Sequence, residues 1–336
     1  MEPLPLRPLG HTGLMVSRLG LGLAAVGRPG YITLGRARDL PVERTPEALA
    51  IRTAEICDAA WVRGVRYFDV ARSYGRAEEF LARWLATRAI TPDAVTVGSK
   101  WGYRYTAGWS VAAAVHEEKQ LCLPRFEAQL AESQALLGTQ LDLYQIHSAT
   151  AESGCLADER LLAAMVAARR AGACRALGLS LTGTTAAHAL ELALAARVDG
   201  ERVFDTVQAT VNVLEPSLLP SLATAQAEGL GVIAKEVHAN GRLTDANARP
   251  EDADLLASLR TTAARAGVTI ADLALAFVVH HPCIDVALSG AATTAQLASH
   301  VAALDTTIDD ATHAALIPLA ERREVYWSTR AHLPWT

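Results

Sequence analysis

The sequence predicts an α/β chain folded as one (β/α)8 TIM barrel, with long loops after the first and third strands. Three observations predict it. Short apolar, β-branched runs alternate with Ala- and Leu-rich amphipathic stretches eight times along the chain. The strand runs are continuously apolar, as parallel strands covered on both faces should be. Most of those runs also end in a polar residue, where a barrel presents its working face.

Taken in order, the strands are expected at 17–23 (SRLGLGL), 65–70 (VRYFDV), 94–100 (AVTVGSK), 141–147 (LDLYQIH), 174–180 (CRALGLS), 204–210 (FDTVQAT), 231–236 (GVIAKE) and 284–290 (IDVALSG). Helical periodicity fills 46–63, 76–87, 123–137, 158–171, 184–197, 217–228, 251–266 and 294–303. The run 270–281, IADLALAFVVHH, adds a further helix before the last strand. A doubly wound sheet is the competing architecture, but GLGLAAVG lacks the G-x-G-x-x-G spacing that such a sheet uses for phosphates. No low-complexity linker or composition break divides the chain, so residues 1–336 are expected to form one barrel domain, with the tail from about 320 to 336 over its site.

With 336 residues, 51% of them hydrophobic and 20% charged, the chain can bury a large core. It has no uncharged apolar run of about 18 residues, so no membrane span is expected. The N-terminus, MEPLPLRPLG, lacks the basic-then-apolar pattern of a secretion signal. Five scattered cysteines without CxxC spacing fit a reduced, cytoplasmic protein. A net charge of −5 offers no basic footprint for nucleic acid, and the expected partner is a small molecule. The oligomeric state is not legible. His280-His281 and the other histidines lack metal-ligand spacing, so no metal is expected.

The strand ends read Asp69, Lys100, His147, Ser180, Gln208, Lys235/Glu236 and Ser289. Solvent at a strand end would explain any one of them. It explains less well three successive strands closing on Asp69, Lys100 and His147, with Tyr74 beside them. A phenol is a weak acid, with an ordinary pKa of about 10. A nearby ammonium lowers that value. Lys100 is therefore expected to tune Tyr74, with Asp69 holding the lysine charged. A neutral His147 would donate a hydrogen bond to a carbonyl oxygen. Such a relay delivers a proton to an oxygen as charge develops there. It has no hydride source of its own, so a cofactor must supply one.

The segments GVRYFDVARSYG, VGSKWG, LDLYQIH, ALGLS, VQATVN and GVIAKEVHANGRLT resemble, in order and spacing, the signatures of the aldo-keto reductases. The resemblance runs from about Leu19 to Leu304. It implies a barrel that binds NAD(P)H without a Rossmann fold and reduces a carbonyl to an alcohol. Tyr74 would be the general acid, Lys100 and Asp69 would tune it, and His147 would orient the carbonyl. Cofactor contacts are implied at Gly22, Leu23 and Asp69, and at Ser180 and Gln208 for the carboxamide. Further contacts are implied at Lys235, Glu236, Val237, His238, Gly241 and Arg242, and in SGAATTAQLASH at Gly290, Ala291, Thr293, Gln296 and His300. NADPH is the expected cofactor, with NADH as the alternative.

Three departures stand out. Leu181 replaces the usual Asn after the carboxamide serine. Lys235 replaces the aromatic that stacks on the nicotinamide. Ser148-Ala149-Thr150 replaces the usual Pro-Asp or Pro-Asn after His147, which implies a reshaped loop. An unpaired Lys235 would disfavour the cationic oxidised ring and bias the site towards reduction; alternatively, Lys235 pairs with Glu236. At the phosphate end Gly290 stands where some relatives carry Lys, and either Arg242 supplies the charge or nothing does.

The loops 24–45 and 101–122 are long. The first holds Tyr31. The second holds Trp101, Tyr103, Tyr105 and Trp109, four aromatics in nine residues of a chain only 5% aromatic. A stacking wall over the cofactor is expected, with Tyr31, Tyr74, Trp101, Tyr103 and His147 at the substrate; the alternative is a loop that packs its own aromatics on the rim. The tail adds Tyr326, Trp327 and Trp335. A sizeable apolar, cyclic or glycosyl carbonyl compound would suit such a lining. The remaining alternatives are the same chemistry run backwards, as a sugar or alcohol dehydrogenase, and a cofactor-binding regulatory subunit with vestigial catalysis.

Overall fold

Eight parallel strands close into a barrel in a computed structural model that describes residues 3–336. They are β1 Leu19–Gly22, β2 Tyr67–Asp69, β3 Thr96–Trp101, β4 Leu143–Ala149, β5 Ala176–Leu181, β6 Thr206–Thr210, β7 Gly231–Lys235 and β8 Val286–Ser289. Consecutive strands pair throughout, β8 pairs with β1, and β5 with β6 completes the ring. Each expected strand is present, shortened by one or two residues at most ends.

The surrounding helices are α1 Pro46–Val62, α2 Ala77–Thr87, α3 Leu123–Leu137, α4 Glu159–Arg170, α5 Ala186–Ala195, α6 Leu219–Ala227, α7 Ala253–Ala266, α8 Ile270–Val279, α9 Thr294–Ala302, α10 Asp310–Leu316 and α11 Arg323–Ala331. Their starts follow local chemistry. Thr45, Asp158, Thr269 and Thr293 each accept a hydrogen bond from a first-turn backbone N–H, and Pro46 opens α1 where no N–H is needed.

Alternation along the strands divides the core into two shells. Phe68, Tyr144, Leu177, Val207 and Val232 face the helices in the larger shell. Tyr67, Leu143, Ala176, Ile233 and Val286 face the axis and meet Leu9, Leu14 and Val16. These last three come from an N-terminal hairpin, Leu6–Pro8 paired with Met15–Ser17, which plugs the lower end. Strands of three residues are too short to show alternation in the sequence, so this hairpin was not expected. For the same reason a second hairpin, Tyr103–Tyr105 with Glu117–Lys119, was not anticipated inside loop 101–122.

The inward series continues upward. Asp69 follows Tyr67, Lys100 follows Gly98, and His147 follows Leu143 and Gln145 at the same period of two. Gly98 leaves room for Tyr67: a Cβ there would lie 2.4 Å from the Tyr67 hydroxyl. Alternation thus delivers the strand-end polar residues to one face of the barrel axis. Among the described residues no single helix is long and apolar enough to cross a membrane.

Candidate active site

The upper face encloses a cavity of ≈ 470 Å³. Behind Asp69 at its floor the Lys100 ammonium is fully buried and forms an ion pair with that carboxylate. It also donates to the Val70 carbonyl at 3.0 Å. The other Asp69 oxygen accepts from Gln208 Nε2 at 2.8 Å and from the Tyr67 hydroxyl at 3.3 Å. Asp69 therefore holds the lysine and is itself held by two further donors. Burial lowers the Lys100 ammonium from its ordinary value, while Asp69 pulls it back up.

Tyr74 is brought to the same floor by the short turn after β2. Its ring centroid lies 5.0 Å from Lys100 Nζ and 5.4 Å from the His147 ring, edge to face. Burial pushes the Tyr74 phenol well above 10.0, with Tyr31 and Asp69 adding to the shift. The expected lowering by Lys100 is therefore not what governs this phenol: Lys100 is spent on Asp69 and Val70. The cation that opposes the rise is Arg28. Burial, followed by the charges of Lys100, Lys235, Arg28 and Lys119, holds His147 well below its ordinary value. Its ring is neutral at neutral pH. Nδ1 lies 3.4 Å from the Ser73 hydroxyl; when Ser73 donates there, Nε2 carries the proton.

Arg28, 2% exposed, lies 5.3 Å from the Tyr74 ring centroid, 4.9 Å from that of Tyr31 and 5.0 Å from that of Trp335. It donates to the Ser73 carbonyl at 3.0 Å and pairs with Glu117 at 2.5 Å. Neither Arg28 nor Glu117 was singled out in the sequence. The available signal was Gly-Arg-Pro-Gly at 27–30: a Cβ on Gly27 would lie 2.5 Å from the Tyr74 carbonyl oxygen, a close approach that only glycine allows.

Lys235 lines the cavity and donates to Thr210 Oγ1 at 2.8 Å, with Glu236 at 3.8 Å. Burial brings it down to about 8, with Arg330 and Lys100 helping and Glu236 opposing. The pairing with Glu236 is therefore present but loose, because Glu236 is taken by Arg330 of α11. Trp335 lines the cavity too, stacked on His116 at 3.8 Å, and Thr336 exchanges backbone hydrogen bonds with Tyr31. The tail thus forms part of the cavity wall.

The structure brings together much of the set picked out in the sequence. Gly22, Asp69, Gln208, Lys235, Glu236, Val237, His238 and Gly241 line the cavity, as do Gly290, Gln296, His300, Tyr31, Tyr74, Tyr103 and His147. Others lie elsewhere. Trp101 follows Lys100 by one residue, so alternation turns it outward against Phe126 of α3 at 5.2 Å. Trp109 packs on Phe80 and donates to the Arg44 carbonyl, so the expected aromatic wall is reduced to Tyr103. Leu23 and Ala291 are buried in the core. Thr293 caps α9. Ser180 accepts from the backbone N–H of Ser148, which has a left-handed φ of 56°, where β4 shifts register after Ile146. Arg242 is bound to Asp252 and Glu321 and is no free cation. Thr182 and Asp39 line the cavity without having been picked out, and Trp335 of the tail lines it as well.

These features fit an elongated dinucleotide. The cavity extends from Tyr74 to the start of α9, and a Cβ on Gly290 would meet open space. Asn240 also lines that cavity, and its Oδ1 is buried without a hydrogen-bond partner. The residues that would hold the group are Lys235 and Gln208 at the relay and Asn240, Gly290, Gln296 and His300 beyond it. Among the described residues no cluster of three or more His, Cys, Asp or Glu is arranged to hold a metal ion.

Residues 18–320 match the family described as the aldo/keto reductase family. The fold is similar to that of aldo-keto reductase AKR11C1 from Bacillus halodurans in its holo form, with TM-score 0.73, 20% identity, and 95% of this chain and 97% of that one covered. Two Pseudomonas aeruginosa chains classed with the aldo-keto reductases are similar at TM-scores 0.63 and 0.62 and identities 23% and 22%. They cover 89% and 93% of this chain, and 93% and 95% of their own. No curated protein sequence matches the chain significantly.

Proposed function

The chain belongs to the aldo/keto reductase family, and from that premise we propose that it reduces the carbonyl group of an aldehyde, ketone or sugar-type compound to an alcohol. The observation that carries this reading is the buried relay: a neutral Tyr74 edge to face with a neutral His147, above the Lys100–Asp69 pair. A bound nicotinamide cofactor supplies hydride to the carbonyl carbon. Tyr74 Oη gives its proton to the carbonyl oxygen as charge develops there. His147 donates a hydrogen bond to the same oxygen and orients it. Arg28 stabilises the phenolate that remains until solvent returns the proton, while Lys100 stays paired with Asp69 beside the ring. NADPH is the cofactor expected from the resemblance, with NADH as the alternative.

The reading is tested with a panel of aldehydes and ketones and both reduced dinucleotides, in wild type and Tyr74→Phe. Loss of the general acid should lower turnover by about 10²–10⁴ while cofactor binding is retained. Full turnover in Tyr74→Phe would sink the mechanism.

A further inference from the structure

Asp39 ends a single helical turn, Arg36–Asp39, inside loop 24–45, and its carboxylate lines the cavity at the end remote from Tyr74. Asp39 Oδ2 accepts from Gln296 Nε2 at 2.9 Å. Oδ1 has no hydrogen-bond donor, and no cation lies within ion-pair distance of Asp39, among the described residues. This end of the cavity is the start of α9 after the last barrel strand, where barrels commonly bind phosphate.

Here part of that capacity is already used. The Ala291 N–H donates to Ser289 Oγ at 3.2 Å, the Ala292 N–H to Gln296 Oε1 at 2.9 Å and the Gln296 N–H to Thr293 Oγ1 at 3.1 Å. The nearby cations are spent as well. Arg36 donates to the backbone carbonyls of Ala25, Pro29, Arg28 and Thr336. Arg242 is held between Asp252 and Glu321. His238 and His300 are stacked at 4.6 Å, bonded to Ala271 O and Ser289 Oγ, and burial keeps both uncharged at neutral pH. A phosphate dianion arriving here would meet a carboxylate and, among the residues lining this end of the cavity, no free cation; Arg38, beside Asp39 in the chain, is exposed and outside that lining. A ribose hydroxyl would meet an acceptor with a vacant lone pair. In Rossmann-type sites a carboxylate on the ribose 2′-hydroxyl takes NAD and an arginine takes the 2′-phosphate, and the same charge chemistry applies to Asp39.

We propose that Asp39 accepts the adenosine 2′-hydroxyl and repels a 2′-phosphate, so that the chain binds NADH in preference to NADPH. The proposal rests on the nicotinamide-dependent reading above. That reading places the hydride donor at Tyr74, and so the adenosine half at the α9 end of the cavity.

Titrating the purified protein with NADH and with NADPH, followed by quenching of tryptophan fluorescence, tests it without recourse to turnover. NADH should bind at least about tenfold more tightly than NADPH. Asp39→Asn should bring the two affinities within about threefold, and Asp39→Arg should favour NADPH. Asp39→Ser, which removes the charge with less bulk, guards against a misfolded arginine variant; melting temperatures within a few degrees of wild type show that the loop is intact. Equal or tighter binding of NADPH by the wild type, or an unchanged ratio in both neutral variants, overturns the proposal and leaves the carbonyl-reductase reading standing. Failure of the wild type to bind either dinucleotide overturns both.

Discussion

Arg330 and Glu236 form a two-pronged ion pair at the mouth of the barrel. Arg330 Nε lies 2.9 Å from each Glu236 carboxylate oxygen, and a terminal guanidinium nitrogen contacts the same carboxylate. Glu236 is 8% exposed and sits just past β7 with a left-handed φ of 55°. The pair fastens α11 to the strand that also carries Lys235, and so places Trp335 against the cavity.

Arg330→Met should destabilise the protein by about 3–5 kcal/mol, because it strands a buried carboxylate. The pH dependence follows from the direction of the shift. Burial opposes ionisation of Glu236, but Arg330 and Lys235 outweigh it and hold the carboxyl at about 2, below its ordinary 4.5. Its stabilising contribution is therefore complete above the ordinary value and is lost as pH falls towards 2. Thermal melts from neutral to acid pH should show the wild type and Arg330→Met converging at low pH. Equal melting temperatures at neutral pH would show that the pair adds nothing.

Lys235 should control the balance between oxidised and reduced cofactor. Its ammonium, near 8, is charged below that pH and neutral above it. Repulsion of the cationic oxidised ring should therefore fade as pH rises through about 8. The ratio of oxidised to reduced dissociation constants should fall over that range in the wild type and stay flat in Lys235→Met. A pH-independent ratio in the wild type would refute this role.

Arg28 should matter to catalysis through Tyr74. Its guanidinium is a cation beside the ring on which phenolate charge develops. Arg28→Met should lower turnover on the order of tenfold to a hundredfold. It also strands Glu117, so Arg28→Met with Glu117→Gln is the needed companion. The double variant should recover the melting temperature but not the rate. Recovery of both would reduce Arg28 to a structural role.

That Asp69, Tyr74, Lys100 and His147 meet at one end of the barrel was legible before the structure because each lies on a strand or one short turn from it. Asp69, Lys100 and His147 occupy inward positions of a two-residue period, and that period is a local property of the chain. The same rule, applied one residue further, would have turned Trp101 away from the cavity. Reading loop 101–122 by composition grouped Trp101, Trp109 and Tyr103 together, although only Tyr103 lines the site.

The amino-acid sequence by itself thus determined the barrel and the meeting of Asp69, Tyr74, Lys100 and His147 at one end of it, since alternation and strand-end polarity are written in neighbouring residues. The tertiary structure alone decided what surrounds them: Arg28 with Glu117, 89 residues apart, Glu236 with Arg330, 94 apart, and Asp39 with Gln296, 257 apart. These contacts join loops and the tail, whose paths have no period. They are set by packing against distant segments, a sum of many non-local contacts that no local pattern records.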